Sequence, residues 1–141
     1  MRDPRGPSGL IDTGAILALI DQRDRWHAAC LDAYAALRLP LASSAAVLTE
    51  LFHMVRRHEV STAWSFIRSG AVAVLPIGDS DLPALDELMR KYADRPMDFA
   101  DATLVHLAER EGLTTVFTID HHDFETYRIA GKRRFRIVPG R

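Results

Sequence analysis

The sequence predicts an α/β fold, a three-layer α/β/α sandwich built on a mainly parallel central sheet. Two observations lead to this prediction. Short apolar runs typical of strands alternate with longer segments of helical periodicity along nearly the whole chain. Helices of about ten or more residues between strands are typical of βαβ crossovers, which make neighbouring strands parallel and cover both faces of the sheet.

The predicted elements follow one another at regular spacing. Strands are predicted over residues 9–12, 39–42, 71–75, 113–119 and 135–138, the last as an edge strand. Helices are predicted over about 13–20, 24–37, 45–57, 60–68, 80–93 and 98–111. The run 71–75 is continuously apolar and rich in β-branched residues, which is typical of a strand buried on both faces. Gly112 is expected to end the last helix.

The length of 141 residues and the hydrophobic fraction of 48% suit one compact domain. We divide the chain into a flexible, polar arm over 1–8 and a single domain over 9–141. The arm lacks the apolar stretch of a secretory signal, and no stretch is long and apolar enough to span a membrane. Cys30 is the only cysteine and is expected in the core, so we expect no internal disulfide and a cytoplasmic location.

The overall charge argues against a protein that binds nucleic acid through its total field. The formal net charge is −1 and the sequence pI is about 6.6. Basic residues are nevertheless grouped, in the pair Arg56 and Arg57 and in the run 132–136. We therefore expect any nucleic-acid contact to depend on local cations.

Acidic residues recur where strands end and helices begin, and four of them stand out: Asp12, Glu50, Asp101 and Asp120. In open α/β sheets, ligands bind beyond the carboxyl ends of the strands. One shared site explains four acids at this end of a sheet better than four unrelated causes do.

Glu50 is the least ordinary of these acids. The helix around it is apolar on nearly all sides, which predicts burial, and a buried carboxylate must be paired or bound to a metal. The alternative is a partly exposed acid paired with His53 or Arg57.

Helix capping is the alternative explanation for the other acids. Asp12 and Asp98 stand where N-caps are expected, and Asp120 and Asp123 could simply open a turn. A functional role is favoured for Asp101, because apolar residues next to it and one helical turn later indicate a buried helix face.

Clustered carboxylates repel one another, and a divalent cation held by oxygen ligands is the usual remedy. An all-carboxylate site suits Mg²⁺ or Mn²⁺, whereas zinc prefers histidine or cysteine. The histidines lack the spacing of a helical metal site, and the chain has neither a phosphate-binding glycine loop nor a serine elbow.

Five segments together resemble, in order and spacing, the motifs of PIN domains of the VapC type: residues 10–19, 24–27, 47–51, 97–109 and 117–124. The resemblance covers about residues 9–138. It implies a metal-dependent endoribonuclease that cleaves RNA phosphodiester bonds and serves as the toxin of a toxin–antitoxin pair. It further implies a homodimer that is inhibited by a small cognate antitoxin protein. The leader before the first strand departs from the family pattern, and an alternative start or a tag remnant would account for it.

The resemblance also implies which residues form the site. It assigns the catalytic and metal-binding quartet to Asp12, Glu50, Asp101 and Asp120, with Asp98, Asp123, Thr13 and Thr118 as auxiliary residues. Arg56, Arg57 and Arg133 are our candidates for contacts with flanking RNA phosphates.

Two other functions compete with this one. A PIN-like module could bind RNA or protein without cutting, but the full acidic set argues against it. A phospho-acceptor receiver domain would need paired acids after the first strand and a lysine late in the chain, whereas Asp12 is followed by Thr13 and Gly14.

Overall fold

The computed structural model describes residues 6–141 and divides them into short strands and α-helices. The strands are β1 (Leu10–Ile11), β2 (Leu41–Ser43), β3 (Val72–Val74), β4 (Thr115–Phe117), β5 (Arg128–Ile129), β6 (Arg133–Arg134) and β7 (Arg136–Val138). The helices are α1 (Thr13–Ile20), α2 (His27–Ala36), α3 (Ala45–Met54), α4 (Val60–Phe66), α5 (Leu82–Lys91), α6 (Phe99–Glu111) and α7 (His121–Thr126). Single 3-10 turns at Arg57–Glu59 and Asp79–Asp81 precede α4 and α5, and a wide turn at Ile67–Ala71 follows α4.

Five of the strands form one parallel sheet in the order β3-β2-β1-β4-β7. The chain runs outward from β1 through β2 to β3, then returns to place β4 on the other side of β1. The strand order therefore reverses between β1 and β4, and sheets of this type bind ligands beyond the strand ends at such a switch point. The predicted parallel sheet is confirmed, and so is the edge position of the last strand.

Alternate residues of the central strands face opposite layers of helices. Leu10, Ala42 and Val116 contribute to one core, which they share with α5, α6 and α7. Ile11, Leu41 and Phe117 contribute to the other core, with α1, α2 and α4. Helix α3 lies between the layers, since Val47 joins the first core and Leu51 the second. The buried Cys30 belongs to the second core, as predicted, and Gly112 ends α6 with φ of +69°.

The expectation that 71–75 is buried on both faces is wrong. Strand β3 is an edge strand, and Val74 is 44% exposed. An apolar run carries no information on how many neighbouring strands it has, and here β3 pairs only with β2 among the described residues. Helix α3 is likewise half exposed rather than buried, with only Val47 and Leu51 fully inside.

Two elements were not predicted. Helix α7 replaces the turn expected after Asp120, and the antiparallel β5–β6 hairpin precedes the last strand. Within the predicted arm, residues 1–5 lie outside the described residues, whereas the backbone N–H of Ser8 donates to the Pro40 carbonyl at 3.2 Å. No helix among the residues described here has the length and apolar character needed to cross a membrane.

Gly9 is packed against the backbone of β4, so Gly9→Ala should destabilise the protein. A Cβ atom at this position would lie 2.9 Å from the carbonyl oxygen of Thr115, and a central strand cannot easily shift. We expect a loss of about 1–3 kcal/mol in the free energy of unfolding, measured from the urea midpoint at constant m-value. Gly78→Ala is the control, because a Cβ there meets no atom within 4 Å. Equal midpoints for both variants would contradict the packing described here.

Candidate active site

Asp12 lies at the switch point, directly after β1, and it is both a helix cap and a site residue. Its Oδ1 accepts a hydrogen bond from the backbone N–H of Thr13 at 2.8 Å, which caps α1. Its Oδ2 accepts a hydrogen bond from the hydroxyl of Thr118 at 3.0 Å. The side chain is nearly buried, with 8% exposure. The two explanations considered for Asp12 are therefore compatible.

Thr118 connects the ends of β1 and β4. While its hydroxyl donates to Asp12, the same oxygen accepts a hydrogen bond from the backbone N–H of Asp120 at 3.0 Å. Thr118 is completely buried, so its rotamer is fixed by packing. This one hydroxyl thus holds two acids of the predicted quartet in a defined relation.

Asp101 lies in the first turn of α6 and is 7% exposed. Asp98 caps this helix, because its Oδ1 accepts a hydrogen bond from the Asp101 N–H at 2.8 Å. The hydroxyl of Tyr127 donates to Asp101 Oδ2 at 2.9 Å. Sequence reasoning missed Tyr127, and no local signal would have found it, since an aromatic residue after a short helix resembles an ordinary core residue.

Asp120 caps α7, with its Oδ1 accepting from the N–H of Asp123 at 3.1 Å. The geometry brings Asp101, Asp120 and Asp123 together most tightly, because one carboxylate oxygen from each lies within 4.8 Å of the other two. Oxygens at this spacing could hold one metal ion. Asp123 is therefore a more prominent member of the site than its auxiliary place in the sequence analysis suggested.

Glu50 approaches the cluster from α3, on the side of Asp98. The Thr13 hydroxyl donates to the Val47 carbonyl at 3.1 Å and lies 3.4 Å from Glu50 Oε1. Glu50 is half-buried rather than fully enclosed. The structure thus brings together all four acids of the quartet, the auxiliary acids Asp98 and Asp123, and both threonines.

Crowding and burial raise the pKa values of the central acids. Burial, followed by the charges of Asp12 and Asp98, raises the pKa of Asp101 to about 8 from 3.8. Burial is also the main reason why the pKa of Asp12 rises to about 6, with Glu50 and Asp120 adding to the effect. Hydrogen bonds from Tyr127 and from Thr118 act in the opposite direction, because they favour the charged forms.

The pKa values of the flanking acids Glu50 and Asp123 are raised as well. Burial and then the charge of Asp98 raise the pKa of Glu50. Burial and then the neighbouring carboxyl of Asp120 raise the pKa of Asp123. A divalent cation bound among these groups would offset the repulsion, and a set of carboxylate oxygens is the donor chemistry that hard cations prefer. The residues present therefore fit a divalent metal ion.

The predicted phosphate-binding arginines lie away from the cluster. Arg56 sits in a surface depression with Ile20 and Asp21, at the end of α1 opposite Asp12. Arg133 lies beside Gly112, roughly 16 Å along α6 from Asp101 at 1.5 Å per residue. Arg57 is exposed in the 3-10 turn before α4. Their role in binding RNA stays a prediction.

The fold and the site together define a class of protein: a helix-covered parallel sheet with a carboxylate cluster for a divalent cation at its switch point. Residues 9–131 match the sequence pattern of the family described as PIN domain. The chain belongs to the PIN-domain family.

Two relatives illustrate the similarity. The chain is 32% identical over 137 residues to Ribonuclease VapC26 of Mycobacterium tuberculosis, covering 92% of this chain and 99% of the relative. The crystal structure of VapC20 of Mycobacterium tuberculosis, titled a Sarcin-Ricin loop cleaving toxin, superposes with a TM-score of 0.74 at 21% identity. That match covers 82% of this chain and 92% of the solved one. The predicted resemblance to the VapC type and the predicted three-layer fold are both confirmed.

The raised pKa of Asp101 predicts that the metal-free protein loses stability as the pH rises. A group that binds its proton more tightly when folded stabilises the protein fully below its unfolded pKa, near 3.8, and this contribution disappears as the pH passes about 8. Asp101→Asn should remove this slope, which is at most about 1.4 kcal/mol per pH unit for one proton. In EDTA the variant should match the wild type near pH 4 and exceed it near pH 8.

Urea unfolding across that pH range, in EDTA, measures the effect. Asp98→Ala is the control, since it removes a helix cap and should cost about 1 kcal/mol of stability. Because Asp98 caps from outside the tight triplet, its loss should also spare most of any catalytic activity. If Asp101→Asn lowers the stability at pH 8, Asp101 is a structural residue and the electrostatic description of the cluster is wrong.

Proposed function

We propose that this PIN-domain chain is an endoribonuclease that hydrolyses RNA phosphodiester bonds with Mg²⁺ or Mn²⁺ and acts as the toxin of a toxin–antitoxin pair. The convergence of Asp101, Asp120 and Asp123 at the switch point is the observation that carries the proposal. A ribonuclease relative that aligns along nearly its whole length supports the choice of RNA as substrate. A cytoplasmic location agrees with that substrate.

The acidic residues would bind the cation, and their neighbours would hold them in place. We assign metal binding and catalysis to Asp12, Glu50, Asp101 and Asp120, and we add Asp123 because its carboxylate lies in the tight triplet. When bound, a divalent cation lowers the pKa of water and screens the negative charge that develops on the phosphate. Mg²⁺ and Mn²⁺ are the ions that suit an all-oxygen donor set.

Glu50 is the residue best placed to take a proton from the attacking water. It is half-buried and its pKa is raised, mainly by burial, so the carboxylate takes up a proton more readily than an ordinary glutamate does. The Thr13 hydroxyl, 3.4 Å from Oε1, limits the orientation of the carboxylate. Tyr127 similarly fixes Asp101, and Thr118 fixes Asp12 and Asp120. Loss of a positioning neighbour of this kind typically lowers metal affinity or activity by about 10- to 100-fold.

RNA cleavage tests this proposal directly. Purified protein should cut single-stranded or structured RNA in Mg²⁺ or Mn²⁺ and should stop in excess EDTA, because the carboxylates alone cannot activate water. Asp101→Asn should reduce the rate by at least about 100-fold, since it removes a charge of the tight triplet. Asp32→Asn, an exposed acid on α2, is the control and should cleave normally. Undiminished cleavage after exhaustive chelation would exclude the metal mechanism, and RNA binding without cleavage would favour the non-catalytic module.

We further propose that the chain forms a homodimer and binds a small cognate antitoxin. Beside the resemblance, the α4 region offers four large apolar residues, Val60, Trp64, Phe66 and Ile67, which differ in exposure. Ile67 is buried and Phe66 packs on Tyr34 at 5.7 Å between ring centroids, so these two serve the core. Val60 and Trp64 are 36% and 47% exposed and remain available to a partner. The ring centroids of Trp64 and Phe52 are 4.7 Å apart, and the two rings line a groove between α3 and α4.

Trp64→Ala should therefore shift the oligomeric state from dimer to monomer. The substitution removes a large exposed ring from the proposed interface, and such aromatic residues contribute about 2 kcal/mol or more to binding where they are buried by a partner. Light scattering at micromolar concentration measures the change, and Leu31→Ala, which trims an exposed apolar residue of α2, is the control. A wild-type protein that is monomeric at every concentration would contradict the dimer. A variant that stays dimeric but no longer retains the antitoxin would assign the groove to the antitoxin instead.

A further inference from the structure

Arg95 is a cation that lies at the edge of the acidic cluster. Its side chain donates a hydrogen bond from Nη1 to the hydroxyl of Thr126 on α7. Thr126 follows Asp123 by three residues in the same helix, which places both on one face of α7 about one turn apart. Arg95 itself belongs to the segment that leads into the α6 cap, Asp98. The guanidinium thus connects the segment before α6 to the last residue of α7.

The hydrogen bond to Thr126 places this charge about one helical turn from Asp123, a member of the acidic cluster. Arg95 is half-buried, so its charge is screened by water less than that of a fully exposed side chain. Arg95 thus brings a positive charge to α7, the helix that carries Asp123.

Arg95 uses fewer of its donors in contacts within the protein than Arg110 and Arg128 do. Arg110 is bound to Asp81 and Glu111, and Arg128 donates to the carbonyls that end α7. Within residues 6–141, the Thr126 hydroxyl is the one acceptor that the Arg95 side chain uses. An arginine has five N–H donors in a planar fork, so most of those of Arg95 stay free for a ligand.

We propose that Arg95 binds a phosphate of the RNA that flanks the scissile bond and so positions the substrate over the acidic cluster. The inference rests on the proposed ribonuclease function. A cluster of carboxylates repels a polyanion, and the net charge of −1 offers no general attraction to overcome that repulsion. A local cation beside the cluster is therefore needed, and a bidentate arginine contact fits phosphate best. Arg95 is a positioning residue here, because it contacts the substrate away from the reacting atoms.

A purely structural role is the competing explanation, in which Arg95 only ties the loop before α6 to α7. Two substitutions separate the alternatives. Arg95→Gln keeps a donor for the Thr126 hydroxyl but removes the charge, whereas Thr126→Val removes the acceptor and keeps the charge. If Arg95 only connects the loop to α7, both substitutions should change RNA binding and stability in the same way. A phosphate contact predicts that only the loss of charge matters for RNA.

The first measurement is binding of a labelled, mixed-sequence single-stranded RNA to Asp101→Asn protein over a range of salt concentrations. Arg95→Gln should weaken binding about tenfold at low salt and reduce the slope of log affinity against log salt by about 0.7, the value for one phosphate contact. Thr126→Val should leave the slope unchanged, and Arg95→Lys should restore it, because lysine keeps the charge. Arg68→Ala, which removes an exposed arginine from the turn after α4, is the matched control for loss of a positive charge.

The second measurement is RNA cleavage in Mn²⁺ with Asp101 intact. Arg95→Gln should raise KM about tenfold and change kcat by less than about threefold, as expected when a contact to the substrate is lost without change to the reacting groups. Calorimetry should show Mn²⁺ binding equal to or tighter than that of the wild type, since a neighbouring positive charge is gone. An unchanged salt slope in Arg95→Gln, or weaker Mn²⁺ binding in both Arg95→Gln and Thr126→Val, would overturn the inference. A wild-type protein that does not cut RNA would instead refute the proposed function itself.

Discussion

Mutual repulsion among the acids at the ends of β1 and β4 is the constraint to which the rest of the site conforms. The fold meets it partly by placing Asp12, Asp98 and Asp120 as N-caps of α1, α6 and α7. The amino ends of helices carry partial positive charge and free N–H donors, both of which stabilise carboxylates. Capping and function are therefore not alternatives at these positions. The same carboxylates that cap the helices also belong to the acidic cluster, so the amino ends of the three helices point toward the site.

The remaining repulsion appears in the raised pKa values of Asp12 and Asp101. A protonated Asp101 must release its proton when a cation binds, so metal affinity and pH are coupled in this site. Substitution of one acid should relieve the repulsion and stabilise the metal-free protein, which is the usual exchange of stability for function at an active site. A divalent cation bound among these carboxylates would offset the repulsion. Tyr127 and Thr118 add directed hydrogen bonds that keep the carboxylates oriented without a cation.

The proposed nuclease site and the proposed partner-binding groove lie on different parts of the surface. The acidic cluster lies at the switch point of the sheet, where Arg95 supplies a local positive charge from the segment that leads into α6. The apolar groove with Trp64 and Phe52 lies between α3 and α4, and α3 also carries Glu50 toward the cluster. A protein bound in the groove would thus contact the helix that supplies a residue of the site. That continuity offers a physical route by which a partner and the ribonuclease site influence each other.

The sequence by itself determined the types of the main elements, the parallel sheet and the set of acids, because periodicity and strand-end position are local properties. The strand order, and with it the edge position of β3, required the tertiary structure, since an apolar run does not identify its neighbours. Helix α7 was missed because a six-residue helix is stabilised by packing rather than by its own propensity. The closeness of Asp123 to Asp101, the bond from Tyr127 and the position of Arg95 all depend on α7 lying against the start of α6. Only the packing of distant segments decides such contacts, and no spacing along the chain records it.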